Sequence, residues 1–380
     1  MEPMLRLQLI AGLSSFVTLA SVAFVLTAEP GCSASVEADQ SGSATTGASG
    51  GSGGALAVAT SVTGAGGAGG GSGTGGSEPS ACVPFDGAVL AVDKLYLGGR
   101  TFDDMDSPIA WKDFGFDLDA QSTSSDFSKH CTPAPGGSTS AFGDGTDGRD
   151  NSFGRNVRPI LEGLVPSLDG QANDAISAGQ FSEIFAFAGL GSGADAAALV
   201  TKVYGAGSLG LAPSWKGGDC WPVLHSELSD PSDISTAKTS FPTSKLVKNV
   251  WDSNGTSDLV LTLNVAGQSV PITIYGARAT VQLAPTHQGG ALGHIGGYLK
   301  TEEFIKTLRA ASGAINPAAC TIFDASLAAQ LRRTSDLLDD GSQDPTKTCN
   351  AISVGFGFSL RKVAFGAISP KGAEPIDYCK

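Results

Sequence analysis

Between Asp258 and Leu283 the apolar residues recur at every second position, and no other feature of the chain limits its fold as tightly. Leu259, Leu261, Leu263 and Val265 make a first run, and Val270, Ile272 and Ile274 a second after a break at Gly267-Gln268. After Gly276 come Ala277, Ala279, Val281 and Leu283, with Arg278, Thr280 and Gln282 between them. Successive side chains of a strand point to opposite faces, so such alternation demands a sheet with one face buried. The stretch predicts a three-stranded antiparallel meander and with it an antiparallel β core.

The rest of the folded part carries weaker signals of the same kind. Strands are expected at 89–96, 109–118, 184–188, 198–204 and 291–299, with an edge strand at 246–251 followed by an Asn254-Gly255 hairpin turn. The longest runs through Ile352, Val354, Phe356, Phe358 and Leu360. Gly355 and Gly357 fall on its other face, which reads as a backbone approached closely by another segment, or as a bulge. Short helices are expected at 160–164 after Pro159 and at 170–180. Another follows a Thr301 N-cap with Glu302 and Glu303 in its first turn, and a last one spans 324–338. The expected fold class is therefore mainly β with helices (α+β): an antiparallel β-sandwich or flattened barrel with two or three helices packed at one end.

The chain divides into three parts. Residues 1–31 read as a signal peptide, with Arg6 ahead of an apolar run from Leu7 to Ala28. Gly31-Cys32 then imitates a lipoprotein cleavage box, although Glu29 and Pro30 depart from it. Three fates stay open: lipidation of Cys32, cleavage after Ala28, or retention as an uncleaved anchor. Residues 32–80 are a Gly/Ser/Ala-rich tether that concentrates many of the 52 glycines. About 45 residues of such coil reach roughly 35–40 Å. Residues 81–380 form a single β-rich domain.

Charge and cysteine usage bound the setting. Lys and Arg number 24 against 37 Asp and Glu, a net of −13. Arg6, Glu2 and Glu29 give residues 1–31 a net of −1, leaving −12 on the rest. A surface of that sign repels phosphate backbones and excludes nucleic acid as a partner. Of the 7 cysteines, Cys32 stands apart; Cys82, Cys131, Cys220, Cys320, Cys349 and Cys379 remain. None forms a CxxC pair, so the six read as three disulfides of an extracytoplasmic domain, with buried free thiols as the other reading. Cys349 and Cys379 bracket the final strands, whose antiparallel return would pair them.

Candidate chemistry is sparse. In 144–151, Asp144, Asp147 and Asp150 are spaced by threes among glycines, with Asn151 beyond. Calcium gathers six to eight oxygens at 2.3–2.6 Å, and glycines allow the tight curl this requires. Asp117 and Asp119 would add ligands if their loop folds back. The bland reading is a turn of Asp and Asn side chains bonding their own backbone. Asp336 to Asp344 resembles part of an EF-hand, but Leu338 and Lys347 fall where ligands belong, and a helix end running into a turn explains it better. Asp103, Asp104 and Asp106 read as a solvated turn. Ser208, in Gly207-Ser208-Leu209-Gly210, lies one residue off a nucleophile elbow, and Pro213 denies the helix that must follow. The 4 histidines, His130, His225, His287 and His294, form no zinc motif.

Trp111 to Asp119, then Asp147-Gly148-Arg149-Asp150-Asn151-Ser152-Phe153-Gly154, and near the C-terminus Asp340-Gly341-Ser342-Gln343-Asp344-Pro345 with Gly355-Phe356-Gly357-Phe358, resemble an uncharacterised group of predicted secreted lipoproteins from myxobacterium-like bacteria. The resemblance covers most of 82–380 and implies secretion and one shared domain, without an activity. The leading expectation is thus a tethered lipoprotein at the bacterial outer membrane or cell surface. It would be a non-enzymatic, calcium-stabilised binding module for a glycan or protein ligand, with Trp111, Trp215, Trp221 and Trp251 as a contact platform. The alternative is a secreted serine hydrolase using Ser208 and a histidine.

Overall fold

A computed structural model describes residues 81–122, 125–265, 268–371 and 377–379. Residues 1–80, on which the expected signal peptide, Cys32 and the expected tether fall, lie outside the described residues. The strands are β1 (Ala88–Tyr96), β2 (Ser182–Ala188), β3 (Ala196–Ala206), β4 (Cys220–Val223), β5 (Thr239–Val247), β6 (Val250–Asp252), β7 (Ser257–Val265), β8 (Gln268–Leu283), β9 (Gly289–Lys300), β10 (Ala351–Lys362) and β11 (Ala364–Ile368). They join in the order β11-β4-β3-β2-β1-β10-β9-β8-β6-β5. Because β3 also bonds β5, the strands from β3 round to β5 close into an antiparallel, flattened barrel. The helices are α1 (Arg158–Glu162), α2 (Leu168–Ser177), α3 (Thr301–Ile315), α4 (Ala319–Ile322) and α5 (Ala328–Arg332). Packing of α2 on β1 and β7, and of α3 on β8, gives the mainly β architecture with packed helices that the alternation demanded.

Two strands replace the expected meander of three. β8 runs unbroken for 16 residues, and Gly276 (φ +55°) marks an irregularity within it, not a turn. That irregularity explains the sequence pattern. Ile272 and Ile274 fall on even positions and Ala277, Ala279, Val281 and Leu283 on odd ones, yet all are buried in one core. One inserted residue flips the parity, and the bulge keeps both halves facing inward.

Other expectations shift for local reasons. The supposed edge strand 246–251 is a hairpin of β5 and β6 inside the barrel wall. Lys248 and Asn249 both take positive φ (52° and 61°), as a two-residue turn between twisted strands requires. Asn254-Gly255 is a turn as well, but it links β6 to β7, and these pair with β8 rather than with each other. Thr301 does not cap α3; its hydroxyl meets the Ser335 hydroxyl at 2.7 Å. The helix expected over 324–338 ends at Arg332, leaving Leu337 and Leu338 buried in the turn beyond it.

The barrel interior is apolar, with Phe185, Phe187, Trp251, Phe356 and Phe358 at its centre. A smaller core of Trp221, Tyr204 and Phe365 lies under β4 and β11 on the outside of β1–β3. Disulfides join Cys82 to Cys220, Cys131 to Cys349 and Cys320 to Cys379. The expected Cys349–Cys379 bond is therefore incorrect. β11 does not return antiparallel along β10; it pairs in parallel with β4, so the two ends of this region part company. Three disulfides mark an oxidising, extracytoplasmic setting. No helix among the described residues is long and apolar enough to cross a membrane.

Candidate cation site and its surroundings

The outer face of β9 and β10 is paved with glycine, and the segment expected to be a strand at 109–118 lies on it instead. A Cβ on Gly355 would come 2.5 Å from the Phe114 carbonyl oxygen, one on Gly357 2.5 Å from the Phe114 ring, and one on Gly296 2.8 Å from the Phe116 ring. Only glycine lets the covering backbone settle this close. The segment is a short 3₁₀ turn (Ala110–Asp113) followed by an irregular run through Gly115 (φ +90°). Its bulky residues Trp111 and Phe114 are buried, with the Phe114 ring against Gly357 of β10 and Trp111 against Gly98 and Gly154. Close approach, one of the two readings of the glycine pattern, is what the structure uses here.

Asn151 locks this cover in place. Its amide nitrogen donates to the carbonyls of Trp111 (3.0 Å) and Gly355 (2.9 Å), and its oxygen accepts from the N–H groups of Gly154 (2.9 Å) and Gly355 (3.0 Å). With both ends engaged, Asn151 is a buried brace and offers no oxygen to an ion.

Asp150 then bridges to the cover from the other side. Its N–H donates to the Phe116 carbonyl at 2.9 Å, and its carboxylate accepts the Leu118 N–H at 2.7 Å. The 117–119 loop thus folds back on 150, and Asp117, Asp119 and Asp150 each present an oxygen within 4.8 Å of the others. Oxygens sharing one calcium at 2.3–2.6 Å are at most about 5 Å apart, so this spacing fits that ion. Asp147 is elsewhere: its backbone is left-handed (φ 57°) and its side chain projects into solvent, 3.8 Å from Arg149. Asp144 is not part of the converging group either. The carboxylates spaced by threes thus do not converge; the ones brought together come from two separated segments.

Asp336 and Gln343 complete the surroundings. The Gln343 amide nitrogen donates to Asp119 (2.9 Å) and to the Asp336 carbonyl (3.0 Å), and its oxygen accepts the Cys131 N–H (2.9 Å). Gln343 therefore ties the acidic group to the Cys131–Cys349 bridge. Burial, reinforced by Asp119 and Asp336, pushes the Asp150 carboxyl up to about 9. Burial likewise pushes Asp336 up to about 7, against hydrogen bonds from Ser353 and with Asp119 adding to the rise. Burial also raises Asp117, with Asp119 contributing. Charge repulsion and desolvation of this kind are relieved when a cation enters.

The remaining candidates resolve into structural roles. Asp340 and Asp344 accept from Ser342 and Thr346 in tight local turns. Asp104 and Asp106 pair with Lys94 and Arg100 at the surface. The Ser208 hydroxyl donates to the Gly179 carbonyl (3.3 Å) and accepts from the Gly210 N–H (3.2 Å). His287 meets the Gly191 carbonyl, His130 meets Gln343, and His294 packs among Phe102, Phe114 and Phe116. No hydrogen bond between Ser208 and a histidine is found among the described residues. Trp111, Trp221 and Trp251 are buried, and Trp215 stacks on Trp221 at 6.0 Å, so the expected aromatic platform is not formed.

No family model matches this chain, and no curated protein or solved structure matches it either.

Proposed function

We propose that the protein is a tethered extracytoplasmic binding module whose outer-face cover is stabilised by calcium held at Asp117, Asp119 and Asp150. The convergence of three carboxylate oxygens within 4.8 Å, from segments more than thirty residues apart in sequence, carries this reading. Backbone and Gln343 bonds hold the group before any ion arrives, which lowers the ordering cost of binding. In this reading Cys32 is lipidated, and the tether holds the domain off the outer membrane or cell surface. Burial of Trp111, Trp221 and Trp251 leaves a protein partner better supported than a glycan stacked on aromatic rings. The acidic balance again disfavours nucleic acid.

Thermal unfolding of the full-length protein in EDTA and in millimolar Ca²⁺ tests the proposal. Binding to the folded form alone adds about 2.7 kcal/mol at a hundredfold excess over Kd. Calcium is expected to raise Tm, and Asp119→Asn to remove the rise. An equal Tm in both buffers would overturn the calcium reading. Mass spectrometry of the mature N-terminus tests the anchor: a lipid-modified Cys32 is expected, and a chain still beginning at Met1, or starting unlipidated at Glu29, contradicts it.

A further inference from the structure

A cavity of about 240 Å³ lies between the helices and the β7–β8 pair. Its floor is formed by Leu168, Leu263, Val270, Ile272, Phe323 and Leu327, all of them buried. Its mouth is flanked by Leu161, Leu164 and Leu308, with Leu164 56% exposed. The gap persists because α3 and α4 turn small side chains, Ala311 and Ala319, toward it. A bidentate Arg309–Asp324 pair (2.7 and 2.8 Å) ties α3 to the turn that follows α4, bracing two of its walls.

The lining dictates what can enter. Among the described residues it contains no charged side chain, and the one hydroxyl among them, on Ser312, donates to the Arg309 carbonyl of its own helix at 2.8 Å. A buried water needs two to four polar partners, and an apolar cavity of about 150 Å³ lined by Leu, Ile and Phe stays dry and takes up benzene. The present cavity is larger and equally apolar. Unlike such an internal void it opens to solvent, so one end of an occupant can remain outside.

We propose that this cavity binds one aliphatic chain of an amphiphile, with the polar head left in water at the mouth. Walls that are hydrocarbon apart from Ser312 among the described residues disfavour ligands that carry polar groups along their length. The open mouth favours a chain over a compact hydrocarbon. The site is separate from the acidic group and does not depend on the calcium reading.

Calorimetric titration of the full-length protein with n-alkanols from hexanol to dodecanol tests it. Each methylene that reaches the floor is expected to tighten binding about fourfold, until the cavity is filled and affinity levels off. Decanoate is expected to bind within a few-fold of decanol, since no charge lines the walls among the described residues. Monomeric dihexanoyl phosphatidylcholine tells the source of the chain: competition with decanol assigns a two-chain lipid, and its failure to compete assigns a single-chain amphiphile. Ala311→Leu and Ala319→Leu fill the space from two different elements. Each is expected to weaken decanol binding at least tenfold while leaving Tm unchanged or higher, so a folding defect in one variant leaves the other to decide. Equal affinity in EDTA and in calcium is expected, which separates a failure here from a failure of the cation site. Absence of alkanol binding, a strict requirement for the carboxylate, or unaltered affinity in a folded filled variant overturns the proposal.

Discussion

The Leu118 N–H donates to the Asp150 carboxylate at 2.7 Å, joining residues 32 positions apart and folding the 117–119 loop back onto Asp150. Together with the Asp150 N–H to the Phe116 carbonyl and Gln343 to Asp119, that bond sets which carboxylates of this acid-rich region meet.

Asp150→Asn is expected to stabilise the calcium-free protein. The Asp150 carboxyl, pushed up to about 9 chiefly by burial, keeps a proton in the folded state that the unfolded chain releases near 3.8. Its contribution is thus fully present below the unfolded value and is lost as pH rises toward 9. The amide keeps an acceptor for Leu118 without the ionisation cost, on the order of 2–4 kcal/mol near pH 7. Chemical denaturation in EDTA at pH 5 and pH 8 measures it. A variant with the same pH profile as the parent contradicts the assignment.

His294 gives the opposite slope. Burial, with Arg149 adding, pushes its imidazole down to about 4. The unfolded chain takes up a proton below about 6.5 that the folded chain refuses, so stability is fully present above that value and falls as pH drops toward 4. His294→Phe keeps a ring among Phe102, Phe114 and Phe116 and is expected to flatten this acid limb. Melting curves between pH 4 and 7 decide, and an unchanged difference between those pH values counts against it.

The fold was legible where one periodicity dominated, and less so where tertiary contacts overrode it. Ile352 to Leu360 alternate cleanly because one face fills the barrel. Gly355 and Gly357 offered a covered face or a bulge, and neither what covers the face nor which reading holds was written in their spacing. Trp111, Phe114 and Phe116 looked like a strand because of their bulk, yet the backbone there bonds no neighbouring strand among the described residues. The change of parity between Ile274 and Ala277 was visible in the sequence as a break, and only pairing on both sides of β8 makes it a bulge. Cys349 and Cys379 were linked on the assumption of an antiparallel return, which the parallel pairing of β11 with β4 removes. At the site, Asp117, Asp119 and Asp150 were among the expected ligands, whereas the positioning role of Gln343 arises from contacts more than two hundred residues distant in the chain.

Gly355→Ala is expected to lift the cover from the sheet. Its Cβ would lie 2.5 Å from the Phe114 carbonyl oxygen and 2.8 Å from the Gly115 Cα, both backbone atoms with little room to yield. Overpacking of this kind costs about 1–3 kcal/mol. Denaturant unfolding reads the loss, and calcium binding should weaken with it. A variant as stable as the parent would show that the cover is not seated as described.

The Cys131–Cys349 bridge closes a sequence separation of 218 and lies next to Gln343. Replacing both cysteines by serine is expected to cost about 2–5 kcal/mol and to lower calcium affinity. A non-reducing peptide map should join Cys131 to Cys349 and Cys320 to Cys379. A fragment joining Cys349 to Cys379 contradicts the connectivity.

Calorimetric titration of the EDTA-treated, then dialysed, full-length protein with CaCl₂ at neutral pH tests the cation site most directly. The expected result is one saturable site per chain, absent in Asp119→Asn and retained in Asp147→Asn, because Asp147 points into solvent away from the group. No saturable binding, or binding that requires Asp147 and not Asp119, would contradict a calcium site at Asp117, Asp119 and Asp150.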